Sequence, residues 1–314
     1  MAPWESPQWR NFVAKSSTPV FAEDSVHGRE DIAFNADGVT LRGWLYRPAS
    51  TGPHPAVLLS HGFSALKEMS LDRYAEVFCA AGFACLVYDH RNLGASDGEP
   101  RGEIDPWRQV LDMRHALSWL RLQPGIDRER IGLWGTSYSG GHALVVAAQD
   151  RRVKCVVSQV MTINGSEAAR RRMPGAALAA FRERVAADLE ARAKGHLPAR
   201  VAVAEPGSPS YRFLVEGFPQ AGYPNSVTLL SRELATAYCP GVFVPQIAPT
   251  PLLMIVASAD EITPADLQVA AYWTAGEPRR LVVLEGAAHY DPYVERFAES
   301  SAAARDWFVQ HLAR

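Results

Sequence analysis

The stretch from Arg130 to Ala148 reads RIGLWGTSYSGGHALVVAA and decides the fold of this chain. A short apolar run leads into a group of small residues around Ser137, and a second apolar run compatible with a helix follows. A serine on a sharp turn between a strand and a helix is exposed on strained backbone, beside the positive end of the helix. This arrangement suits a nucleophile.

A second serine competes with Ser137. The pattern G-x-S-x-G is typical of such turns, but it fails here because Ser139 stands where the second glycine belongs, whereas GASDG at 94–98 meets it fully. The residues DGEPRG that follow Ser96 form loops, so no helix can begin there. The context therefore favours Ser137 as the nucleophile and makes Ser96 a loop serine.

Length and composition restrict the class of protein. The chain has 314 residues, enough for one large α/β domain or two small ones. Its 32 basic and 34 acidic side chains nearly balance and form no basic stripe with interleaved aromatics, so nucleic acid is not an expected partner. No apolar run approaches the length of a membrane span, and the N-terminus lacks the basic start and apolar core of a secretory signal.

Cysteine usage favours a reducing compartment, and hence a cytoplasmic location. The four cysteines lie in or next to apolar runs without CxxC spacing, as expected for free buried thiols: Cys79, Cys85, Cys155 and Cys239. No cluster of His, Cys and Asp has metal-ligand spacing, and no phosphate-binding or dinucleotide-binding glycine pattern occurs. Neither a metal nor an organic cofactor is expected.

The order of the predicted elements indicates an α/β sheet. The segment around Asp37-Gly38 reads as a hairpin of two alternating strands, which would form an antiparallel edge. Regular alternation of apolar strands and helices then predicts a mostly parallel sheet covered on both faces. Strands are predicted at 55–60, 83–89, 130–135, 153–159, 251–257 and 280–285, and helices at 67–81, 106–122, 138–149, 264–274 and 292–312.

Two segments depart from this alternation. Residues 1–27 are predicted to form an irregular arm that packs onto the body through its aromatics: Trp4, Trp9 and Phe12. Residues 161–246 hold an Arg-rich helical stretch, followed by a part dense in Pro, Gly and aromatics. Such an insertion between core strands often forms a lid, so a cap is predicted here. The predicted core comprises 28–160 and 247–314.

A serine nucleophile needs a base and an acid that orients the base. Asp260 ends the stretch PLLMIVASAD at 251–260, whose first part is an apolar strand. It lies nearer the end of that strand than its rival Glu261. His289 follows the last predicted strand; its rivals are His61, His90 and His142, the last interpreted as packed on the helix after Ser137. Ser137, Asp260 and His289 each fall at the carboxyl end of a strand, where open α/β sheets place their sites.

An oxyanion hole requires two preorganised amide donors. One is predicted at Tyr138, the first residue of the helix, and the other at Phe63, where Gly62 allows a sharp bend after the 55–60 strand. A plain strand-to-helix turn is the alternative for this bend. Asp89 either stiffens the 61–64 loop through hydrogen bonds to its backbone or merely caps a turn.

Aromatic residues in the loops and the predicted cap suggest a largely apolar acyl pocket, although they suit an ordinary cap core equally well. The candidates for substrate binding are Trp107, Tyr211, Phe213, Phe218 and Tyr223, with Tyr238 and Phe243 in the same segments.

These motifs together resemble the α/β-hydrolase superfamily over about 28–160 and 247–314. They are HGF at 61–63, DHRNLGASDG at 89–98, GTSYSGG at 135–141, ADEITP at 259–264 and AAHYDPY at 287–293. The chain is similar to the branch that contains dienelactone-hydrolase-like and cocaine-esterase/X-Pro-peptidase-like proteins, and SYSGG and HYDPY are similar to polyketide transferases and thiohydrolases. The resemblance implies an eight-stranded, mostly parallel sheet with an inserted helical cap, Ser137, Asp260 and His289 as the triad, and the Phe63 and Tyr138 amides as the oxyanion hole.

Three functions are expected from these residues. The first is a serine hydrolase that cleaves a small-molecule carboxylic ester, thioester or lactone. The second is an acyltransferase with the same triad, in which the Arg-rich segment attracts a carrier-protein or coenzyme A thioester; a solvated helix is the alternative for that segment. The third is a ligand-binding protein without catalysis, against which an intact triad argues.

Overall fold

Eight of the ten strands in the described part of the chain form one sheet. The structure, a computed structural model, describes residues 28–313, so the predicted arm at 1–27 with Trp4, Trp9 and Phe12 lies outside the described residues. In chain order the strands are β1 (Gly28–Ala36), β2 (Val39–Arg47), β3 (His54–Ser60), β4 (Ala84–Tyr88), β5 (Ile126–Thr136), β6 (Val153–Gln159), β7 (Arg200–Ala202), β8 (Ser226–Thr228), β9 (Leu252–Ala257) and β10 (Arg279–Leu284).

Helices follow most of these strands. The longer ones are α1 (Leu71–Ala80), α2 (Pro106–Leu120), α3 (Tyr138–Gln149), α4 (Gly165–Arg172), α5 (Gly175–Ala193), α6 (Leu229–Ala237), α7 (Ala265–Tyr272) and α8 (Phe297–Leu312). Two predicted helices start later than the sequence indicated. Ser70 adopts φ 70°, which breaks the helix predicted from residue 67, and Pro292 lies in a separate short turn before α8.

The large sheet has the order β1-β2-β4-β3-β5-β6-β9-β10. Neighbouring strands from β4 to β10 are all parallel, whereas β2 is antiparallel to both β1 and β4. The predicted hairpin is therefore present at one edge, and Asp37 and Gly38 at its tip have φ values of 52° and 82°. Positive φ at both central residues matches the turn to the twist of the strands. The mostly parallel α/β fold predicted from the sequence is confirmed.

Apolar strands lie at the centre of this sheet. Every residue of β4 (ACLVY) and β9 (LLMIVA) is buried, as expected for parallel strands covered on both faces. Helices α1 and α8 pack against each other, and so do α2 and α3. The carboxyl ends of β3, β5, β9 and β10 consequently meet at one edge, where the loops that hold His61, Ser137, Asp260 and His289 begin.

The segment between β6 and β9 contributes no strand to the large sheet. It contains α4, α5 and α6 together with the separate pair of β7 and β8, which are antiparallel. This is the segment 161–246 that the sequence predicts as a cap, and two of its helices contribute residues to the cavity described below.

Neither a disulfide nor a membrane span is found in the described part of the chain. The four cysteines are unpaired: Cys79, Cys85 and Cys155 are buried, and Cys239 is half-buried. Among residues 28–313, no helix combines the length and the apolar character needed to cross a bilayer.

Candidate active site

Ser137 lies on strained backbone between β5 and α3. Its φ of 54° and ψ of −116° fall where residues with a Cβ are rarely found, and such outliers concentrate at functional sites. Strand β6 and the loop after it hold this conformation, because the Ser137 amide donates to the Gln159 carbonyl at 2.9 Å and the Ser137 carbonyl accepts from the Thr162 amide at 2.9 Å. Residues 131–136 and 138–148 are buried around the partly exposed Ser137.

Three glycines, none of them at position 139, allow close packing at this turn: Gly135 between β5 and α3, and Gly140 and Gly141 between α3 and the segment 161–246. A Cβ on Gly135 would lie 2.2 Å from the Ser139 carbonyl oxygen, and Cβ atoms on Gly140 and Gly141 would lie 2.7 Å from Met161 and Pro240 side-chain atoms. Position 139, by contrast, has room for a side chain, and the Ser139 hydroxyl lies in a polar niche formed by His90 and Ser60. The departure from G-x-S-x-G therefore falls at the position of this turn that tolerates it.

The niche around Ser139 contains a buried histidine. The Ser139 hydroxyl lies 2.9 Å from His90 Nε2 and 3.1 Å from the Ser60 hydroxyl, and Ser60 also lies 2.8 Å from His90 Nε2. Burial holds the pKa of His90 well below its usual value, so the ring is neutral at physiological pH. Ser139 therefore satisfies a buried ring nitrogen instead of facing the open side of the turn.

His289 joins Ser137 to Asp260. The Ser137 hydroxyl lies 3.1 Å from His289 Nε2, and His289 Nδ1 donates to Asp260 Oδ2 at 2.7 Å. The His289 and Asp260 side chains are almost completely buried. The structure thus brings together the three residues that the sequence selects, in contacts that allow a proton to pass from the serine hydroxyl to the imidazole.

Four further donors fix the Asp260 carboxylate. Its Oδ1 accepts from the Ile262 and Thr263 amides at 2.9 Å each, and its Oδ2 accepts from the Thr263 hydroxyl at 2.7 Å and from Gln268 Nε2 at 3.4 Å. Sequence reasoning missed Thr263 and Gln268. The signal for Thr263 was present, because an aspartate at the start of a turn commonly accepts amides two and three residues later. The rival Glu261 is exposed.

The other rivals have structural surroundings. Ser96 is buried; its hydroxyl donates to the Asp89 carbonyl at 2.6 Å and accepts from the Arg42 amide at 2.9 Å. Its G-x-S-x-G string therefore belongs to a loop, as its context predicts. His142 is fully buried, and burial lowers its pKa to about 3. Its ring nitrogens contact the Tyr238 hydroxyl at 2.9 Å and Gln109 Oε1 at 3.0 Å.

Asp89 stabilises the segment after the 61–64 loop, not the loop itself. Its Oδ1 accepts from the Lys67 amide at 2.8 Å, and its Oδ2 pairs with Lys67 Nζ at 2.7 Å and accepts from the Ala95 amide at 3.0 Å. The turn-capping alternative is the one that the structure supports, because none of these donors belongs to 61–64.

Two backbone amides next to Ser137 have no acceptor among the described residues. They belong to Phe63 and Tyr138, which line the same cavity as Ser137 and whose rings meet edge to face at 5.2 Å. Gly62 allows the close approach, since a Cβ there would lie 3.0 Å from Ser137 Cβ and 3.3 Å from its Oγ. Both residues that the sequence predicts as oxyanion-hole donors thus border the cavity beside Ser137.

Gly62→Ala is expected to lower kcat/KM about 10- to 100-fold, because the added methyl displaces either the Ser137 side chain or the Phe63 amide by a few tenths of an ångström. Steady-state hydrolysis of an activated ester measures this effect. Gly175→Ala is the matched control, since a Cβ there meets nothing within 4 Å. Equal activity of both variants would contradict a tight fit around Ser137.

A cavity of about 350 Å³ opens beside Ser137 and His289. Its walls are largely apolar, and the segment 161–246 supplies part of them. The apolar and aromatic lining includes Met69, Met161, Ile163, Phe213, Leu214, Leu267, Tyr290 and Tyr293. Tyr290 and Tyr293 were not selected from the sequence, although they lie one and four residues after His289 in HYDPY. Their position next to the base was the available signal.

Of the five aromatics predicted to bind substrate, Phe213 alone lines this cavity, where its ring stacks on Tyr290 at 4.6 Å. Trp107 is 52% exposed and packs outside the cavity against Tyr238 and Phe243. The remaining three lie behind or beside the lining: Phe218 packs on Phe213, Tyr223 contacts the Ser64 hydroxyl at 2.5 Å, and Tyr211 ends a short helical turn. The structure therefore does not place these four side chains in the cavity lining, because loop aromatics without a period do not reveal which side they face.

Comparison with known proteins relates this geometry to a family. Residues 37–201 match the family model described as X-Pro dipeptidyl-peptidase (S15 family). A thiohydrolase from Eupenicillium brefeldianum is 32% identical over 299 residues, covering 90% of this chain and 94% of the relative. A polyketide transferase from Penicillium sp. is 32% identical over 272 residues, covering 84% of this chain and 90% of the relative.

The solved structures agree with the sequence matches. The crystal structure of an α/β hydrolase from Penicillium sp. sh18 superimposes with a TM-score of 0.79 at 30% identity, covering 91% of this chain and 100% of that one. The chain is therefore a hydrolase-type enzyme of the α/β-hydrolase superfamily and belongs to the X-Pro dipeptidyl-peptidase (S15) family.

Proposed function

We propose that this protein is a serine esterase or thioesterase that transfers an acyl group from an ester or thioester to Ser137 and then to water. The contact of Ser137 with His289 at 3.1 Å, and of His289 with Asp260 at 2.7 Å, carries the proposal. Similarity to a thiohydrolase supports it. The expected substrate is a small acyl compound whose acyl part fits a largely apolar cavity.

The proposed mechanism uses the residues in a fixed order. His289 Nε2 takes the hydroxyl proton as Ser137 Oγ attacks the acyl carbon, and Asp260 stabilises the resulting imidazolium. The amides of Phe63 and Tyr138 bind the oxyanion of the tetrahedral intermediate. The C–O or C–S bond to the leaving group breaks, and His289 supplies that group with its proton. Water, deprotonated by His289, then attacks the acyl-enzyme and releases the acid.

The cavity does not suit the peptidase activity in the family's description. A dipeptidyl-peptidase must bind a protonated amino terminus, for which a carboxylate is the natural partner. In the described part of the chain, no Asp or Glu lines the cavity, whereas two arginines do. An amino terminus would meet repulsion there, which favours an acyl substrate without a free amine.

Acyl transfer is the second candidate, favoured by the similarity to a polyketide transferase. It requires the same acyl-enzyme on Ser137, followed by attack of an alcohol or amine in place of water. A carrier-protein or coenzyme A thioester would then be the donor. The two candidates differ in the second step alone.

Product analysis separates the candidates. A hydrolase is expected to convert butyryl-pantetheine to pantetheine and butyrate in equal amounts. A transferase is expected to form a butyryl ester as well when an alcohol acceptor is added. A fluorophosphonate probe is expected to modify Ser137, as identified by peptide mass spectrometry. Folded protein that neither turns over the thioester nor reacts with the probe would contradict both candidates and favour a ligand-binding protein.

A further inference from the structure

Two arginines extend into the cavity beside Ser137 from the segment 161–246. Arg172 is the last residue of α4, and Arg232 lies on α6. The described residues that line this cavity include no Asp, Glu or Lys. Because guanidinium groups stay protonated in proteins, an otherwise largely apolar cavity carries two permanent positive charges.

Neither guanidinium forms an ion pair within the described part of the chain, where no carboxylate oxygen lies within 4.0 Å of either one. Arg172 Nη1 donates to the Ile262 carbonyl at 3.2 Å, and Arg232 Nη2 donates to the Ala202 and Val203 carbonyls at 3.0 and 2.5 Å. The remaining N–H groups have no acceptor among the described residues. Both side chains are therefore anchored by one nitrogen and keep donors for a ligand.

The other arginines at the end of α4 behave differently. Arg170 and Arg171 both pair with Glu167 at 2.8 Å, and Arg171 also forms two hydrogen bonds with Asp266 at 2.8 and 2.9 Å. A solvated helix with surface ion pairs describes these two residues. Arg172 is also exposed to solvent, but it lines the cavity and has no carboxylate within ion-pair distance among the described residues.

The two arginines line the same cavity, and the charge of Arg172 acts on Arg232. Burial lowers the pKa of Arg232, and repulsion from Arg172 lowers it further. Asp260 attracts Arg172 and Glu205 attracts Arg232, but both carboxylates lie beyond ion-pair distance. Arg172 is exposed to solvent, and the Arg232 guanidinium also lies over the Phe63 ring at 5.5 Å, but neither group has a carboxylate partner within residues 28–313. A bound anion would supply the missing counter-charge.

We propose that Arg172 and Arg232 together bind an anionic oxygen group of the substrate, a carboxylate or a phosphate, while the acyl carbon lies at Ser137. The inference rests on the proposed acyl chemistry and narrows its substrate class. Guanidinium groups are common partners of both anions. Arg172 keeps the parallel donors Nε and Nη2 for such a group, whereas Arg232, with Nη2 engaged by two carbonyls, keeps separate donors at Nε and Nη1. A carboxylate would belong to the acyl chain, whereas a phosphate would belong to the phosphopantetheine arm of a thioester.

The test compares matched charged and neutral substrates. In the first arm of the experiment, the acyl chain carries the charge: mono-p-nitrophenyl glutarate is compared with neutral p-nitrophenyl pentanoate. In the second arm, the leaving group carries it: butyryl-4′-phosphopantetheine is compared with neutral butyryl-pantetheine. The measured quantity is the ratio of kcat/KM for the charged substrate to that for the neutral one. Arg172→Gln and Arg232→Gln are each expected to lower this ratio about 10- to 100-fold in one arm, which identifies the anion.

Arg171→Gln is the matched control, because it removes a guanidinium from the same helix end outside the cavity. Its ratio is expected to stay within about twofold of wild type, as for any exposed ion pair. Ratios within about twofold for both cavity variants, or an equal fall for Arg171→Gln, would overturn the proposal. A purely structural role of Arg172 at the end of α4 would lower Tm and leave the ratio unchanged.

A binding measurement keeps this inference separate from the proposed function. Ser137→Ala protein is titrated calorimetrically with glutarate and with phosphopantetheine, so no turnover is required. We expect one of them to bind and its affinity to fall at least about 10-fold when Arg172→Gln is added. If neither glutarate nor phosphopantetheine binds, the anion site is overturned, even if the wild-type protein hydrolyses esters. If one of them binds but the wild-type protein hydrolyses neither esters nor thioesters, the proposed function alone is overturned.

Discussion

Ser137→Ala is expected to lower kcat/KM for a p-nitrophenyl ester about 10⁴- to 10⁶-fold, because the variant cannot form an acyl-enzyme. The residual rate would come from water held near the two free amides. His289 and Asp260 keep their own contact in this variant, since their 2.7 Å hydrogen bond does not involve the serine. Steady-state kinetics measure the loss, and fluorophosphonate labelling is expected to disappear completely.

Ser96→Ala is the control for this substitution, because Ser96 occupies the serine position of the complete G-x-S-x-G string. Its hydroxyl forms two hydrogen bonds inside a buried loop, so the variant is expected to lose about 1 kcal/mol of stability for each bond. Labelling of the folded Ser96→Ala protein is expected to continue. Retained labelling of Ser137→Ala, or loss of labelling in Ser96→Ala alone, would show that the nucleophile is assigned to the wrong serine.

The position of the candidate site could be predicted because it depends on chain order and strand ends. Buried strands such as LLMIVA at β9 are recognisable from composition, and parallel strands bring their carboxyl ends to one edge. Asp260 and His289 follow such strands directly. Their proximity to Ser137 therefore required no knowledge of side-chain packing.

The cavity lining could not be predicted in the same way. Trp107 and Phe213 look alike in sequence, but Trp107 is 52% exposed at the start of α2, whereas Phe213 is buried against Tyr290. Which way a loop aromatic points depends on tertiary contacts between distant segments, and no periodicity in the sequence carries that information. The same limit applies to Arg172, which differs from Arg171 only in the direction of its side chain.

Ser139 shows how a motif can depart from its pattern without losing its geometry. The pattern requires glycine where a Cβ would collide, and in this turn the collisions fall at Gly135, Gly140 and Gly141. The side chain of Ser139 enters a niche with His90, a partner 49 positions earlier in the chain. The sequence predicts that a small residue is tolerated here, but only the structure reveals the niche.

Asp260→Asn is expected to lower kcat/KM about 10⁴-fold while the fold is retained. Oδ1 of Asp260 accepts hydrogen bonds from two backbone amides. The side-chain oxygen of asparagine is therefore expected to occupy the position of Oδ1, and its NH₂ group is expected to occupy the position of Oδ2. The NH₂ group would then donate to His289 Nδ1. His289 would carry its proton on Nε2, facing Ser137, and could not accept the hydroxyl proton.

The readouts for Asp260→Asn distinguish orientation of the base from simple loss of structure. Nitrogen-15 NMR of His289 is expected to show the proton moving from Nδ1 to Nε2, and fluorophosphonate labelling of Ser137 is expected to slow in parallel with turnover. Glu261→Gln, one residue away and exposed, is expected to leave both readouts unchanged. A normal His289 tautomer together with full activity in Asp260→Asn would contradict the role of Asp260, because the hydrogen bond at 2.7 Å would then have no catalytic consequence.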